Sequence, residues 1–381
     1  MTIIRGKSRF SVKVKRKRIK VVKTVKAVAP YKYNHFVNFK AAPYEAWKKF
    51  GGQVAPAHYP PRFLHGLAFR YEIPKWVQKF KSSCALVDAQ ASKLGARVQK
   101  NKSLRWSRIF NFQFSIFNFR REARLRFVEP VSLYFDTFPD YALYEVIPFF
   151  WDVWPESYEK VCSWLKEHDV RTSFFTSSQT AERVGKMFPK MNVIWCPEAI
   201  DTEVYKAGWS LKDREYDYLE YGRCSRTIDS SLFGENIKVL SDGTGNVLNT
   251  REKLIDALAN TRINICFTRL DTNPESAGDI DTLTQRFWEC MLSGCVIIGR
   301  APKELIDMIG YNPVVDLELE KATDIKGKSK IAYAKIKEIL ANIESYQDLV
   351  NKNRQMALKY GDWSVRMRYV MEQLLSLGYK I

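Results

Sequence analysis

A chain of 381 residues, 46% apolar and 27% charged, is long enough for two domains and too apolar to be disordered throughout. Its 61 basic and 42 acidic residues give a formal net charge of +19, yet residues 1–130 hold 30 Lys+Arg against 5 Asp+Glu and the remainder 31 against 37. The excess sits in one part only. This argues against a uniformly basic nucleic-acid protein and for an anionic partner or surface at the first third.

In chain order, 18–22 and 83–89 are expected strands, and PYEAWKKF and PKWVQKF are expected short helices. The stretch 104–127 mixes aromatics with arginines and follows neither the helix nor the strand period. From 145 the pattern is regular. EVIPFFWD reads as a strand, then a helix with Tyr158, Val161, Cys162 and Leu165 on one face. RTSFFTS, a helix over 179–187 and NVIWCPEAID follow, so strands alternate with helices as in a parallel sheet. After an expected hinge at 201–214 the pattern restarts. YDYLEYGR, IKVLSDGTG, a helix capped by Asn249 with Glu252 three residues on, INICFTR, a helix over 284–293 and CVIIG form a second unit. Trp363, Met367, Val370, Met371, Leu374 and Leu375 predict a closing amphipathic helix.

The seven cysteines (84, 162, 196, 224, 266, 290, 295) are odd in number and include no C-x-x-C. A disulfide framework or zinc site is therefore not expected, and a reducing compartment is. Four histidines, at 35, 58, 65 and 168, show no metal-binding spacing, so no metal is expected. The charged N-terminus lacks a signal-peptide core and no run of 18 apolar residues occurs; a cytoplasmic location follows as an expectation.

The most informative stretch is DTLTQRFWECMLSGCVIIG, 281–299. Thr284 can cap a helix whose inner face is Phe287, Trp288, Met291 and Leu292, and Gly294 can end it. The first-turn N–H groups of Thr284, Gln285, Arg286 and Phe287 would then face the carboxyl end of INICFTR, where unsatisfied donors and the helix dipole favour phosphate. Glu289, one turn further, could accept two sugar hydroxyls. A plain amphipathic helix with a solvated Glu289 is the alternative.

The run Glu289-Cys-Met-Leu-Ser-Gly294-Cys-Val-Ile, with Thr284, Arg286 and Glu289 spaced as T-x-R-x-x-E, resembles the nucleotide-sugar signature of GT-B glycosyltransferases, in the "glycosyl transferases group 1" branch related to retaining family 4. The resemblance spans roughly 145–310. It implies an α/β fold of two Rossmann-like domains facing a cleft: a basic acceptor-side domain (1–205), a nucleotide-sugar-binding domain (206–350) and a C-terminal helix (351–381) packing back toward the first. It also implies transfer of a sugar from a nucleotide-sugar co-substrate, with retention and without cofactor or obligatory metal. By the same resemblance Gly222-Arg223 would place a guanidinium on the donor diphosphate, with Arg226 and Arg269 as further cations. The turn 241–247 would lie near the base.

Two positions depart from the pattern. The family's second acidic residue, eight before Glu289, is here Asp281, a candidate catalytic residue with a shorter reach. In FFWDVWPESY, which resembles H-D-x-W-P, the His position holds Trp151, which cannot transfer a proton. Asp152 remains to position or deprotonate an acceptor hydroxyl, or to cap the helix that begins at Pro155. The expected acceptor is a glycan or lipid-linked sugar in cell-surface polysaccharide or glycolipid assembly. The basic third would hold the enzyme peripherally on the anionic inner face of the cell membrane. The rival is a nucleic-acid-binding protein acting through 1–130. A nucleotide-sugar enzyme of another kind, such as an epimerase, would need a G-x-G-x-x-G after a strand and a Y-x-x-x-K in a suitable helix, and neither is expected here.

Overall fold

The computed structural model describes residues 22–30, 40–55, 122–137, 140–222, 227–241, 248 and 250–381. The basic run before residue 22, the expected strand 83–89, the helix at PKWVQKF, the aromatics of 104–119, Arg223, Arg226 and the turn 242–247 lie outside these residues.

Two wholly parallel sheets organise the chain. The strands are β1 (Thr24–Val28), β2 (Val54–Ala55), β3 (Glu122–Val128), β4 (Glu145–Phe150), β5 (Thr172–Phe175), β6 (Asn192–Trp195), β7 (Tyr216–Glu220), β8 (Val239–Ser241), β9 (Thr261–Cys266), β10 (Val296–Gly299) and β11 (Val315–Asp316). The first sheet runs β2-β1-β3-β4-β5-β6 and the second β11-β10-β9-β7-β8. Read from β8, the second sheet has the same order, second-first-third-fourth-fifth, as the first five strands of its neighbour. That order belongs to doubly wound sheets, whose crevice opens at the carboxyl ends where the winding reverses: between β1 and β3, and between β7 and β9.

The strands read as continuous apolar runs because parallel sheets are covered on both faces. β4 keeps Ile147, Phe149 and Phe150 fully buried, and β10 keeps Val296, Ile297 and Ile298 so. β3 is the instructive exception. It is buried from Ala123 to Val128, yet holds Arg124 and Arg126. Arg124 lies 3.9 Å from the Tyr144 ring and 2.8 Å from Glu122, and Arg126 donates to Asp140 at 2.7 Å. Two buried cations on alternate residues hide the strand from a periodicity argument, while their partners make the burial tolerable.

Several boundaries differ from expectation. The expected strand 18–22 lies, except for Val22, outside the described residues, and the first described strand starts at Thr24. The helix Arg251–Ala259 is capped by Thr250, whose hydroxyl accepts from the Lys253 N–H at 3.2 Å, not by Asn249. The closing helix is two helices, Gln347–Tyr360 and Trp363–Ser376, broken at Gly361. Trp363, Met367, Val370, Met371 and Leu374 join the core of the first sheet beside Phe127, Phe149 and Trp151. Leu375, expected inward, is exposed. The chain thus crosses between sheets twice. The crossings are tied where the Ile200 N–H donates to the Gly361 carbonyl at 2.8 Å and the Trp363 N–H to the Ile200 carbonyl at 3.1 Å. No helix among the described residues is long and apolar enough to cross a membrane.

Candidate functional site

The carboxyl ends of β4, β6, β7, β9 and β10 supply the residues that meet between the sheets. The helix Gln285–Ser293 begins there, after an extended Thr284 whose side chain makes no capping bond, and ends at Gly294 in the left-handed region (φ 70°). Its buried side holds Phe287, Trp288, Met291 and Leu292, as the sequence pattern required. Arg286 and Glu289 stay on the half-exposed side.

Glu289 is not merely solvated. Its Oε1 accepts the Tyr205 hydroxyl at 2.8 Å and its Oε2 the Tyr221 hydroxyl at 2.9 Å. Each carboxylate oxygen keeps acceptor capacity for a further donor. Each tyrosine ring in turn faces an arginine: Arg251 lies 5.8 Å from the Tyr205 centroid and Arg286 4.6 Å from that of Tyr221. Burial and the neighbouring carboxylate both push the two phenols well above their ordinary range, so they remain donors. Just beyond β7, Gly222 takes a positive φ of 72°, and a Cβ there would stand 2.0 Å from the Arg286 guanidinium. Only glycine allows the arginine to lie flat on the backbone at the β7/β9 reversal. Arg223, the expected diphosphate ligand, follows immediately in the chain, and it and Arg226 lie outside the described residues.

Gln285, the first helical residue, already has a partner for its N–H. Glu198, just after β6, accepts it through Oε2 at 3.2 Å, and the Glu198 carbonyl accepts the Trp288 indole N–H at 3.0 Å. Burial and then the nearby Asp152 push the Glu198 carboxyl well above the usual carboxylate range. A second carboxylate answers it in the opposite direction. Glu304, from the second sheet's side, accepts the Ser178 N–H at the start of helix Ser178–Met187 (2.7 Å), the Leu283 N–H (2.8 Å) and the Thr282 hydroxyl (3.0 Å). Each half thus offers a glutamate to a helix start of the other, as dipole and orphan donors favour.

Asp281 takes a bidentate pair from Arg300, at 2.8 and 2.9 Å, and Arg300 also grips Asp271. The Asp281 N–H donates to Gln179 Oε1 at 2.6 Å. This carboxylate is committed to the 268–281 loop. Arg269 begins a short helix instead of ending β9, which stops at Cys266. Its guanidinium lies 4.4 Å from the Trp154 centroid, 3.7 Å from Glu156, and donates to Ser276. Trp154 and Pro155 are therefore a knob from the first domain seated on 270–280 of the second, with Pro155 Cγ 2.9 Å from where a Gly278 Cβ would be.

Asp152 is exposed at the end of β4 with φ 49°, an unusual conformation for a non-glycine residue. The helix after it starts at Pro155 with Trp154 as its cap residue, and the Trp154 side chain makes no capping bond. Trp151 turns away from the cleft into the first domain's core, 4.9 Å from Phe149 and 5.7 Å from Trp363. Among the described residues no group of three or more His, Cys, Asp or Glu is arranged to hold a metal. Sequence reasoning missed Glu198, Tyr205, Tyr221, Glu304 and Arg300. Only Glu198, a charge inside the CPEAI run just before the expected hinge, left a visible trace.

No protein-family model and no curated protein matches the chain. Solved structures do. The chain is similar to a sucrose-phosphate synthase from Thermosynechococcus elongatus at TM-score 0.50 and 10% identity, over 93% of this chain and 99% of that one. It is also similar to a glycosyltransferase from Rickettsia africae (TM-score 0.44, 10% identity, 93% and 98% covered) and to Anabaena HepE in complex with UDP-glucose (0.37, 9%, 71% and 96%). Two parallel sheets of matching order, facing each other through their carboxyl ends, together with the first of these likenesses, identify the architecture as the GT-B fold of glycosyltransferases.

Proposed function

We propose that this chain is a glycosyltransferase that moves a sugar from a nucleotide-sugar donor to a glycan or lipid-linked acceptor. The observation that carries the reading is Glu289. It stands one turn into a helix that starts at the carboxyl ends of the second sheet, oriented by two phenols and flanked by Arg251 and Arg286. A carboxylate with spare lone pairs suits ribose hydroxyls, and fixed guanidinium groups suit a diphosphate. The donor would lie along the start of helix 285–293, with Thr284, Gln285 and Arg286 toward the phosphates and Glu289 toward the ribose. By the family resemblance Arg223 and Arg226 would add further cations for the diphosphate.

Rate enhancement would come from holding donor and acceptor together and from stabilising the departing diphosphate, without an obligatory metal. Retention at the anomeric carbon belongs to the same reading. Asp152 is the acceptor-side residue: exposed, strained and near enough to Glu198 to perturb it. Asp152→Asn should lower kcat and leave nucleotide affinity nearly intact. Assembly of cell-surface glycans or glycolipids at an anionic membrane face rests on the +25 excess of residues 1–130.

Thermal unfolding with UDP-, GDP-, ADP- and CMP-sugars tests the proposal. One class should raise the midpoint by mass action, and the matching nucleoside diphosphate should be released on turnover. No shift with any nucleotide would overturn it.

A further inference from the structure

Glu198 has three features that the transfer reading leaves unused. Its main chain is pinned, since its carbonyl holds Trp288 and the preceding Pro197 carbonyl accepts Arg366 Nε at 3.1 Å. Its carboxylate takes a single hydrogen bond among the described residues, from the Gln285 N–H at 3.2 Å. And three acidic groups lie near enough to disfavour its charge: Asp152 after β4, Glu304 on the helix Lys303–Ile309, and Glu289 on helix 285–293. A carboxylate with one neutral donor and three acidic neighbours is weakly held. Yet it sits on the first N–H of the helix whose start would receive the donor phosphates. A phosphate and this carboxylate cannot share that N–H, and two anions in contact repel.

We propose that Glu198 is a positioning residue that controls donor entry. In the empty cleft its carboxylate stands where a donor phosphate oxygen belongs, and nucleotide binding turns it off the Gln285 N–H. This rests on the donor site described above and adds to it an internal competitor. The competitor sets the threshold concentration at which the cleft accepts its donor. It also keeps the helix start satisfied while the site is empty, which the extended Thr284 side chain does not do.

The test is calorimetric titration of UDP, GDP and ADP into the full chain and into Glu198→Gln, Gln285→Pro and the double variant. A neutral amide competes less well than a carboxylate, so Glu198→Gln should bind the preferred nucleotide about fivefold tighter, with a lower donor KM and unchanged acceptor KM. Gln285→Pro deletes the contested N–H without breaking the helix. Proline is favoured at the first helical position, and Thr284 before it is already extended (φ −116°, ψ 157°). In that background Glu198→Gln should change nothing. Should Glu198→Gln fail to fold, Glu198→Asp, one methylene short of the N–H, should give the same tightening. Equal or weaker binding in the folded Glu198 variants, or a gain that persists in the Gln285→Pro background, overturns the gate while leaving the donor site intact. Absence of nucleotide binding in every protein overturns both.

Discussion

Two zones join the halves of this molecule, and they use the same chemistry to opposite ends. In the first, around Glu304, Gln179, Arg183 and Arg300, charged and polar groups are tied to partners across the boundary or along the 268–283 loop. Glu304 is 6% exposed and takes three donors; Arg183 pairs with Asp279; Gln179 bonds the backbone at Asp279 and Asp281. In the second, around Glu198 and Glu289, the carboxylates are half-exposed and carry fewer bonds than they can accept. Saturated carboxylates latch a fold, whereas unsaturated ones keep acceptor capacity to spare. Acidic identity and helix-start position are common to both zones, so burial and the count of donors separate them.

The difference can be broken experimentally, most forcefully at Glu304. Glu304→Ala strands the Ser178 and Leu283 N–H groups and the Thr282 hydroxyl, and should cost about 3 kcal/mol in urea unfolding, with nucleotide affinity of the folded protein changed less than twofold. Glu289→Ala should show the reverse. Donor binding falls by about 2 kcal/mol, the scale of a charged hydrogen bond, and stability by less than half of that. If Glu304→Ala spares stability and abolishes binding, the two zones have been assigned the wrong way round.

Asp281 sharpens the contrast because the family resemblance and its contacts pull apart. Resemblance makes it catalytic; its bidentate pair with Arg300 makes it part of the latch. Asp281→Asn should cost about 1 to 2 kcal/mol of stability with kcat reduced less than tenfold. A collapse of kcat in a protein of unchanged stability would restore the catalytic role. A pH titration of either zone must first be corrected for His168, which lies between the Tyr141 and Trp164 rings, away from both. Burial lowers its pKa from 6.5 to about 4. The unfolded chain therefore binds the extra proton between those values, and stability falls as pH drops through that window. We expect a loss of about 2 kcal/mol from pH 7 to pH 5, absent in His168→Phe, which keeps the stacking.

Much of this was legible in the sequence from 145 onward, because each apolar run there ends in a turn and is followed by a helical face. β4, β5 and β6 and the helix 285–293 with its Gly294 stop follow from spacing, whereas Glu289 is singled out by the family resemblance of its segment as well as by its place on that helix. What hid the rest is physical. Arg124 and Arg126 break the apolar run of β3 although both are buried, since their partners Tyr144 and Asp140 come later in the chain. The common strand order of the two sheets left no sequence repeat, because topology constrains burial and not identity. Tyr205 and Tyr221 lie 84 and 68 residues from the glutamate they orient, and no local pattern links them. Arg269 was expected at a strand end, but β9 stops three residues earlier, and the arginine serves the contact with Trp154.

The return crossing has a consequence for how the chain is made. Trp363, Met367, Val370 and Leu374 fill the first sheet's core, and the Val25 N–H donates to the Lys380 carbonyl at 2.7 Å. During vectorial synthesis the leading half must wait for residues 363–380 to leave the ribosome before its interior closes. The trailing sheet can complete its own interior sooner. Nascent chains in which everything up to Gly361, but nothing beyond, has left the ribosome should therefore show a protease-resistant second sheet, with Val350 and Ala357 in place, beside a first one still open to digestion.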